Sequence, residues 1–347
     1  MRWTFALASA SLPVRGLRSA GLALILALSG CAAPIPATQT PAGLPATVAT
    51  QTLTEIPVIP TLTAPPALAT VTPALTATPG EVTMLGGTCP EPETVCILPR
   101  PFFFQRPIDP AATAVIDPTY RYGATQDGRR DPHHGVDFPN MEGTAVLAVG
   151  DGAVVVAGND KLALYGWVTS FYGNLVVIEH HLPGFARTVY TLYGHLSKIS
   201  VQVGQNVRAG DKIGEVGATG IAIGSHLHLE VRITNNNYKS TRNPELWLIP
   251  LPGTGVLAGR VVDTQGALVR TTITIQRVVN DEIFPVYPIE TYPRESLNSD
   301  DVLHENFATG DRIAGQYRLS LIYNGRLYEQ ALQIQPGKLT LVIFRVQ

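Results

Sequence analysis

Five short β-type runs dominate the middle of the chain: Ala145–Val149, Ala153–Ala157, Leu175–Glu179, Thr188–Leu192 and Leu227–Ile233. Turn glycines separate them, and no long stretch keeps the apolar period of 3.6 residues that a helix needs. A chain patterned this way must pair strands into sheets, because an isolated strand leaves its backbone polar groups unpaired. Residues 85–254 are therefore expected to form an all-β domain. The segment Lys161–Tyr172 breaks the rhythm and reads as a loop insertion. It is placed to line a cleft, although Tyr165, Trp167, Phe171 and Tyr172 equally suit packing.

The polar residues set into this pattern are unusual. His226 and His228 lie two apart in an apolar run, so on a strand both imidazoles leave the same face. His133 and Asp137 are four apart with Gly135 between them, and glycine permits a turn or close backbone approach. His195 follows Tyr193-Gly194 in a third segment. A His-x-His in a strand is by itself more often a packed or surface pair, and a lone His-x-x-x-Asp is a weaker signal still. Together they supply enough nitrogen and oxygen donors for a catalytic zinc, which takes three protein ligands and leaves a fourth position open, with imidazoles to spare for moving protons.

From about Arg129 to Val231 the chain resembles the lysostaphin-type (LytM-like) zinc endopeptidases, which cut peptide bonds in bacterial peptidoglycan. The resemblance runs through His133-His134-Gly135-Val136-Asp137-Phe138, Gly143-Thr144-Ala145-Val146, Asp151-Gly152-Ala153-Val154 and Tyr193-Gly194-His195-Leu196-Ser197. It continues through Val203-Gly204-Gln205-Asn206-Val207, Gly210-Asp211-Lys212-Ile213-Gly214, Gly217-Ala218-Thr219-Gly220 and Ser225-His226-Leu227-His228. It implies an antiparallel barrel-sandwich of the duplicated hybrid motif type. It further implies one Zn2+ held by His133, Asp137 and His228, with His195 and His226 as catalytic histidines that do not bind the metal. The family often adds a tyrosine near the metal, for which Tyr120, Tyr122 and Tyr172 are the candidates here. The set is complete, unlike that of the inactive relatives that activate other wall hydrolases. The 204–214 stretch also resembles lipoyl and biotinyl carriers, but Lys212 lies at a strand start and not at the hairpin tip a carrier needs.

The remaining histidines carry simpler expectations: His134 in the cleft or at the surface, His180 and His181 at a strand end, and His304 on the surface of another domain. The ends of the chain speak to location. Residues 1–30 hold Arg2, Arg15 and Arg18 and an apolar core from Ala20 to Leu28, too short to span a bilayer and suited to a signal peptide. Leu28-Ser29-Gly30-Cys31 resembles the bacterial lipobox, which implies cleavage before Cys31, lipid attachment to its sulfur and a membrane anchor. Removing the three arginines takes Lys+Arg from 25 to 22 against 27 Asp+Glu, a net charge of −5. That balance carries no nucleic-acid signature. Residues 31–84 are almost wholly Ala, Pro, Thr, Val and Leu, without an aromatic residue, and read as a disordered tether. Its ~50 residues reach ~40 Å as a coil and ~160 Å fully extended. In an exported chain, Cys89 and Cys96 are expected to close a small disulfide loop.

Residues 255–347 read as a separate small β domain. Tyr317, Leu319, Leu321 and Tyr323 alternate with Arg318, Ser320 and Ile322, Asn324-Gly325 suits a primed hairpin turn, and a last strand is expected from Leu339 to Val346. The segments Gly255–Asp263 and Gly315–Leu319 resemble the regulatory-like, transthyretin-type sandwich found beside secreted peptidases. The expected protein is an exported, lipid-anchored zinc endopeptidase at the cell envelope, acting on peptidoglycan peptides. Two alternatives remain open at this point: a wall-binding protein or amidase activator with a structural zinc, and a peptidase for another exported protein. The sequence carries no signal for an oligomeric state.

Overall fold

A computed structural model describes Cys89 and residues 94–98, 102–292 and 297–347. The signal segment 1–30, the lipidation site Cys31 and the tether 31–84 lie outside the described residues. The fold is all-β: two 3-10 turns, Tyr238–Ser240 and Pro244–Leu246, are its only helical elements among the described residues. None of these is long and apolar enough to cross a membrane.

The larger sheet runs in the order Thr241–Arg242, His226–Ile233, Val189–Gly194, Asn174–His180, Gly152–Asn159 and Asn206–Val207, and Val136–Pro139 also pairs with His226–Ile233. A small sheet of Ala145–Leu147, Lys212–Glu215 and Lys198–Ile199 completes the region. All five runs read from the sequence fall on observed strands. The strands of this region without a sequence signal, among them Val136–Pro139 and Thr241–Arg242, are two to four residues long, too short to display a period. Residues 161–172 form an irregular excursion between strands.

The C-terminal residues build a sandwich. One sheet is ordered Val95–Leu98, Leu339–Arg345, Thr254–Val262, Phe307–Ile313, the other Glu282–Glu290, Thr272–Val279, Gly315–Tyr323, Arg326–Ile334. Tyr317, Leu319 and Leu321 point into the core between the sheets, and Tyr323 pairs with Arg326 across Asn324-Gly325, whose φ values of 49° and 74° are those of a primed turn.

The separation expected at residue 255 does not describe the packing. Leu257, Val261, Val342 and Phe344 face the sandwich interior. On the opposite face of the same sheet, Val256, Ala258, Leu339, Leu341 and Ile343 share one core with Phe104, Leu246, Trp247 and Leu248 of the preceding region. Burial on both faces explains why Leu339–Phe344 is a nearly unbroken apolar run and not an alternating one. Polar ties cross the same boundary: Arg106 makes a bidentate pair with Asp311 at 2.9 and 2.5 Å, and Glu245 pairs with Arg121 and accepts from the Gly310 amide. Val95–Leu98, placed by sequence with the 85–254 region, lies instead on the edge of the C-terminal sheet, against Leu339–Arg345. Cys96 within it is disulfide-bonded to Cys89, Cα to Cα 5.5 Å.

A shared core predicts shared unfolding. Scanning calorimetry of the protein should show one cooperative transition for residues 102–347. Leu341→Ala, which opens a cavity at a fully buried site, should lower that transition as a whole by about 2–5 kcal/mol. Two well-separated transitions, with only the second moved by the substitution, would contradict the single core.

Candidate metal centre and cleft

The site is built on one strand. His226–Ile233 places Leu227, Leu229, Val231 and Ile233 in the hydrophobic core, so the alternate residues His226, His228, Glu230 and Arg232 share the opposite face. Pairing on one side sets Asp137 directly opposite His228, and on the other side Gly194, the residue before His195. Directly opposed side chains stand about 4.5–5.5 Å apart at Cβ, so register alone gathers the donors. Gly135 is needed for the approach: a Cβ there would lie 2.7 Å from His228 Cε1 and 2.5 Å from the Leu229 carbonyl oxygen.

Among the described residues, His133, Asp137 and His228 are the group whose donor atoms converge as metal ligands do. His133 Nε2 lies 3.1 Å from His228 Nδ1 and 3.3 Å from Asp137 Oδ1, and His228 Nδ1 lies 2.9 Å from the same oxygen. A tetrahedral zinc with bonds of about 2.0–2.1 Å sets its ligand atoms about 3.3 Å apart, so the triangle fits. The outer nitrogens fit too. His133 Nδ1 donates to the Tyr120 carbonyl at 2.7 Å, and His228 Nε2 donates to Glu230 Oε1 at 3.2 Å. A carbonyl or carboxylate only accepts, so the outer nitrogens carry protons and the inward nitrogens are the ones placed to bind a cation.

His195 and His226 stand beside this triangle, with ring centroids 4.8 Å apart. His195 adopts φ +62°, a left-handed conformation that a non-glycine residue holds only when its surroundings fix it. Its amide donates to the Tyr172 carbonyl and its Nδ1 to the Thr219 carbonyl, both at 2.8 Å. His226 Nδ1 donates to the Gly224 carbonyl at 3.1 Å, and its Nε2 lies 3.7 Å from Asp137 Oδ1. In both rings the Nε2 is the nitrogen free to accept a proton. The five residues expected from the sequence are thus all brought together.

The electrostatics divide the rings. Burial, helped by the charges of His228 and His226, pushes His195 down to about 3, and burial also lowers His226. Both are neutral at physiological pH. His228 is different: burial opposes its charge, but Asp137 and Glu230 outweigh burial and raise it to about 9. Burial would raise Asp137, yet His133 and His228 hold it well below the usual carboxylate range.

Glu230 and Arg232 have no solvent exposure, and sequence reasoning assigned them no role. Arg232 Nε donates to Glu230 Oε2 at 2.7 Å, and against the effect of burial Arg232 and His228 bring Glu230 down to about 2. Their signal was the polar alternation of His226-x-His228-x-Glu230-x-Arg232 in a strand with no solvent face. Of the three candidate tyrosines, Tyr120 stacks on His133 at 4.2 Å and lines the cleft. Tyr172 is fully buried behind the centre with its hydroxyl on Glu230. Tyr122 lies away from it, buried against Tyr292.

The other histidines stay outside the donor triangle, although His134 lines the cleft. His134 is buried under Tyr238, ring to ring at 3.7 Å, and burial pushes it down to about 4. His180 is a core residue against Phe104, His181 is exposed, and His304 is at the surface.

The centre opens into a cleft of about 580 Å³. Trp167, Ile221 and Ile223 form an exposed apolar wall, and Tyr120, Arg130 and Tyr238 a more polar one. Clefts of this volume, largely apolar with a few convergent polar groups, are the usual form of a ligand site.

Two measurements test the division. In zinc titrations, Ala at His133, Asp137 or His228 should abolish stoichiometric binding, while His195→Ala and His226→Ala retain it. Calorimetric titration in buffers of different ionisation enthalpy should detect release of about one proton per cation at neutral pH. The raised pKa of His228 means that its ring holds a proton at neutral pH that the cation must displace, so affinity rises with pH toward about 9. Binding without proton release at neutral pH would show that His228 is already neutral before the cation arrives.

Comparison with known proteins adds an independent observation. The model for peptidase family M23 matches residues 131–240. Peptidoglycan DD-endopeptidase ShyB of Vibrio cholerae is 39% identical over 137 residues, which cover 38% of this chain and 28% of the relative. Peptidoglycan DD-endopeptidase ShyA of the same organism is 40% identical over 124 residues, covering 33% and 26%. The chain thus spans about a quarter of the length of these curated relatives. Among solved structures, the catalytic domain of lysostaphin from Staphylococcus simulans is similar at 30% identity, covering 38% of this chain and 86% of that one, with a TM-score of 0.29.

Proposed function

From the premise that residues 131–240 form a peptidase family M23 domain, we propose that the protein is a zinc endopeptidase hydrolysing peptide bonds in peptidoglycan. One observation carries the reading: four imidazoles converge with their outer nitrogens tied to acceptors, two beside Asp137 as ligands and two left over. A structural metal site has no use for the second pair, which argues against a purely activating role.

His133, Asp137 and His228 would hold the ion. When bound, zinc supplies a Lewis acid that polarises a carbonyl and lowers the pKa of water from 15.7 toward about 7. The chain's own residues do the rest. Glu230 and the Tyr120 carbonyl keep the ligand rings in one tautomer and one orientation. His195 and His226, neutral and with Nε2 toward the cleft, accept the proton that the attacking water loses and return it to the departing amine. One C–N bond breaks, and a carboxyl and an amine are released. The aromatic and aliphatic walls of the cleft hold the peptide across these groups and limit access of bulk water.

The cellular part of the proposal rests on residues 1–96. An exported chain lipidated at Cys31 and tethered through 31–84 would work from the outer face of the membrane, where a Cys89–Cys96 disulfide is stable.

The test is digestion of purified peptidoglycans of different cross-link chemistry, with fragments weighed by mass spectrometry. The expected outcome is release of cross-link or stem-peptide fragments by the wild type, loss of activity in His228→Ala, and a loss of about 100-fold or more in His195→Ala with zinc still bound. No cleavage by zinc-loaded wild type, with stimulation of an added amidase, would favour the activator reading instead.

A further inference from the structure

The segment from Asp117 to Asp131 has no regular secondary structure, yet the metal centre depends on it. Tyr120 within it supplies the carbonyl that orients His133 and the ring that covers it. Arg130 lies over the other part of this wall, 4.6 Å from the Tyr120 ring centroid. The segment is tied to the rest of the peptidase region by Gly123 N donating to His133 O at 2.9 Å, His133 N to Ala124 O at 3.2 Å and Asp117 N to Asp137 O at 2.9 Å, and by the Arg121–Glu245 pair.

A second set of anchors, at residues 122–127, comes from the C-terminal sandwich. Glu290, at the end of strand Glu282–Glu290, accepts from the Thr125 amide at 3.1 Å, the Thr125 hydroxyl at 2.5 Å and the Asp127 amide at 3.2 Å. Gly123, at φ +84°, sits on the Tyr292 ring so closely that a Cβ would lie 2.4 Å from it. The Tyr122 hydroxyl lies 3.2 Å from both the Asn298 carbonyl and the Thr241 carbonyl, between the two regions. Next to these contacts a second cavity of about 410 Å³, lined by Glu290 and Tyr287 of the sandwich, shares Thr119, Gln126 and Arg130 with the catalytic cleft.

We propose that Glu290 is a positioning residue for the metal centre: by holding Thr125 and Asp127 it fixes the 117–131 segment, and through Tyr120 the orientation of His133. A carboxylate suits this work because it accepts three donors at once, and bonds to a charged acceptor are roughly twice as strong as neutral ones. The sandwich is then part of the catalytic apparatus without touching substrate. The consequence for turnover rests on the peptidase reading above; the consequence for metal binding does not.

The test uses the full chain with Glu290→Ala, Glu290→Gln and, as a control on the same strand, the exposed Glu282→Ala. Zinc affinity is read by competition with a chromophoric chelator, amide exchange is read at residues 123–128, and kcat and KM are read on peptidoglycan fragments. Glu290→Ala should weaken zinc binding about 10-fold or more, speed exchange at Thr125 and Asp127, and lower kcat more than it raises KM. Glu290→Gln, which retains an acceptor oxygen, should recover part of each effect, and Glu282→Ala should match the wild type. Faster exchange with unchanged zinc affinity would make Glu290 a structural residue only and overturn the proposal, as would wild-type behaviour in all three readings. If wild type binds zinc but cleaves no peptidoglycan, the peptidase reading fails while the affinity and exchange data still decide the role of Glu290.

Discussion

The whole arrangement depends on a strand whose polar face is buried. In most half-buried strands the polar residues meet water, but in His226–Ile233 both faces are covered. Four ionisable side chains on that face must therefore find partners inside the protein, since an unpaired buried charge costs several kcal/mol. They do so as a chain: Asp137 to His228, His228 to Glu230, Glu230 to Arg232, and Arg232 onward to the Asn236 side chain, the Tyr165 carbonyl and the Tyr172 hydroxyl. The ionic half of this chain sits deep and rigid, and the imidazole half opens on the cleft. Orientation of the ligands and stability of the sheet thus have the same physical origin. A change at Glu230 or Arg232 disturbs both.

The second dependence is between regions. Because the sheet holding Thr254–Val262 and Leu339–Arg345 is buried on both faces, the sandwich cannot leave without exposing the core beneath Phe104 and Trp247. The boundary also carries the bidentate Arg106–Asp311 pair and the Gly310 amide donating to Glu245. The irregular segment before His133 lies along this boundary. An irregular segment satisfies few backbone groups by itself, and the sandwich, through Glu290, supplies the partners of the Thr125 and Asp127 amides. The C-terminal residues are in this sense the floor on which one wall of the cleft is laid.

What was legible in the sequence follows from period. The five central strands and Gly315–Tyr323 were legible from their runs of strand-type residues, the same-face relation of His226 and His228 from their spacing, and the primed turn from Asn324-Gly325. The candidate ligands and the two further histidines were legible because their segments are local and distinctive. Glu230 stood in plain view, two residues beyond His228, but its meaning required knowing that its face of the strand is dry. The run Leu339–Phe344 likewise held a sign of two-sided burial, since alternation is lost where neither face meets water.

The sequence by itself determined the class of fold and the shared face of His226 and His228, which spacing within a strand sets, while the roles of the donors were what its family resemblance implied. Only the tertiary structure decided which donor stands opposite which, through the register that aligns Asp137 with His228. It alone decided that His195 stays neutral and His228 does not, because desolvation and neighbouring charge are properties of the packed interior. And it alone joined Glu290 to a loop more than 160 residues earlier in the chain. Such contacts depend on where separate elements pack in space, which no periodicity along the chain records.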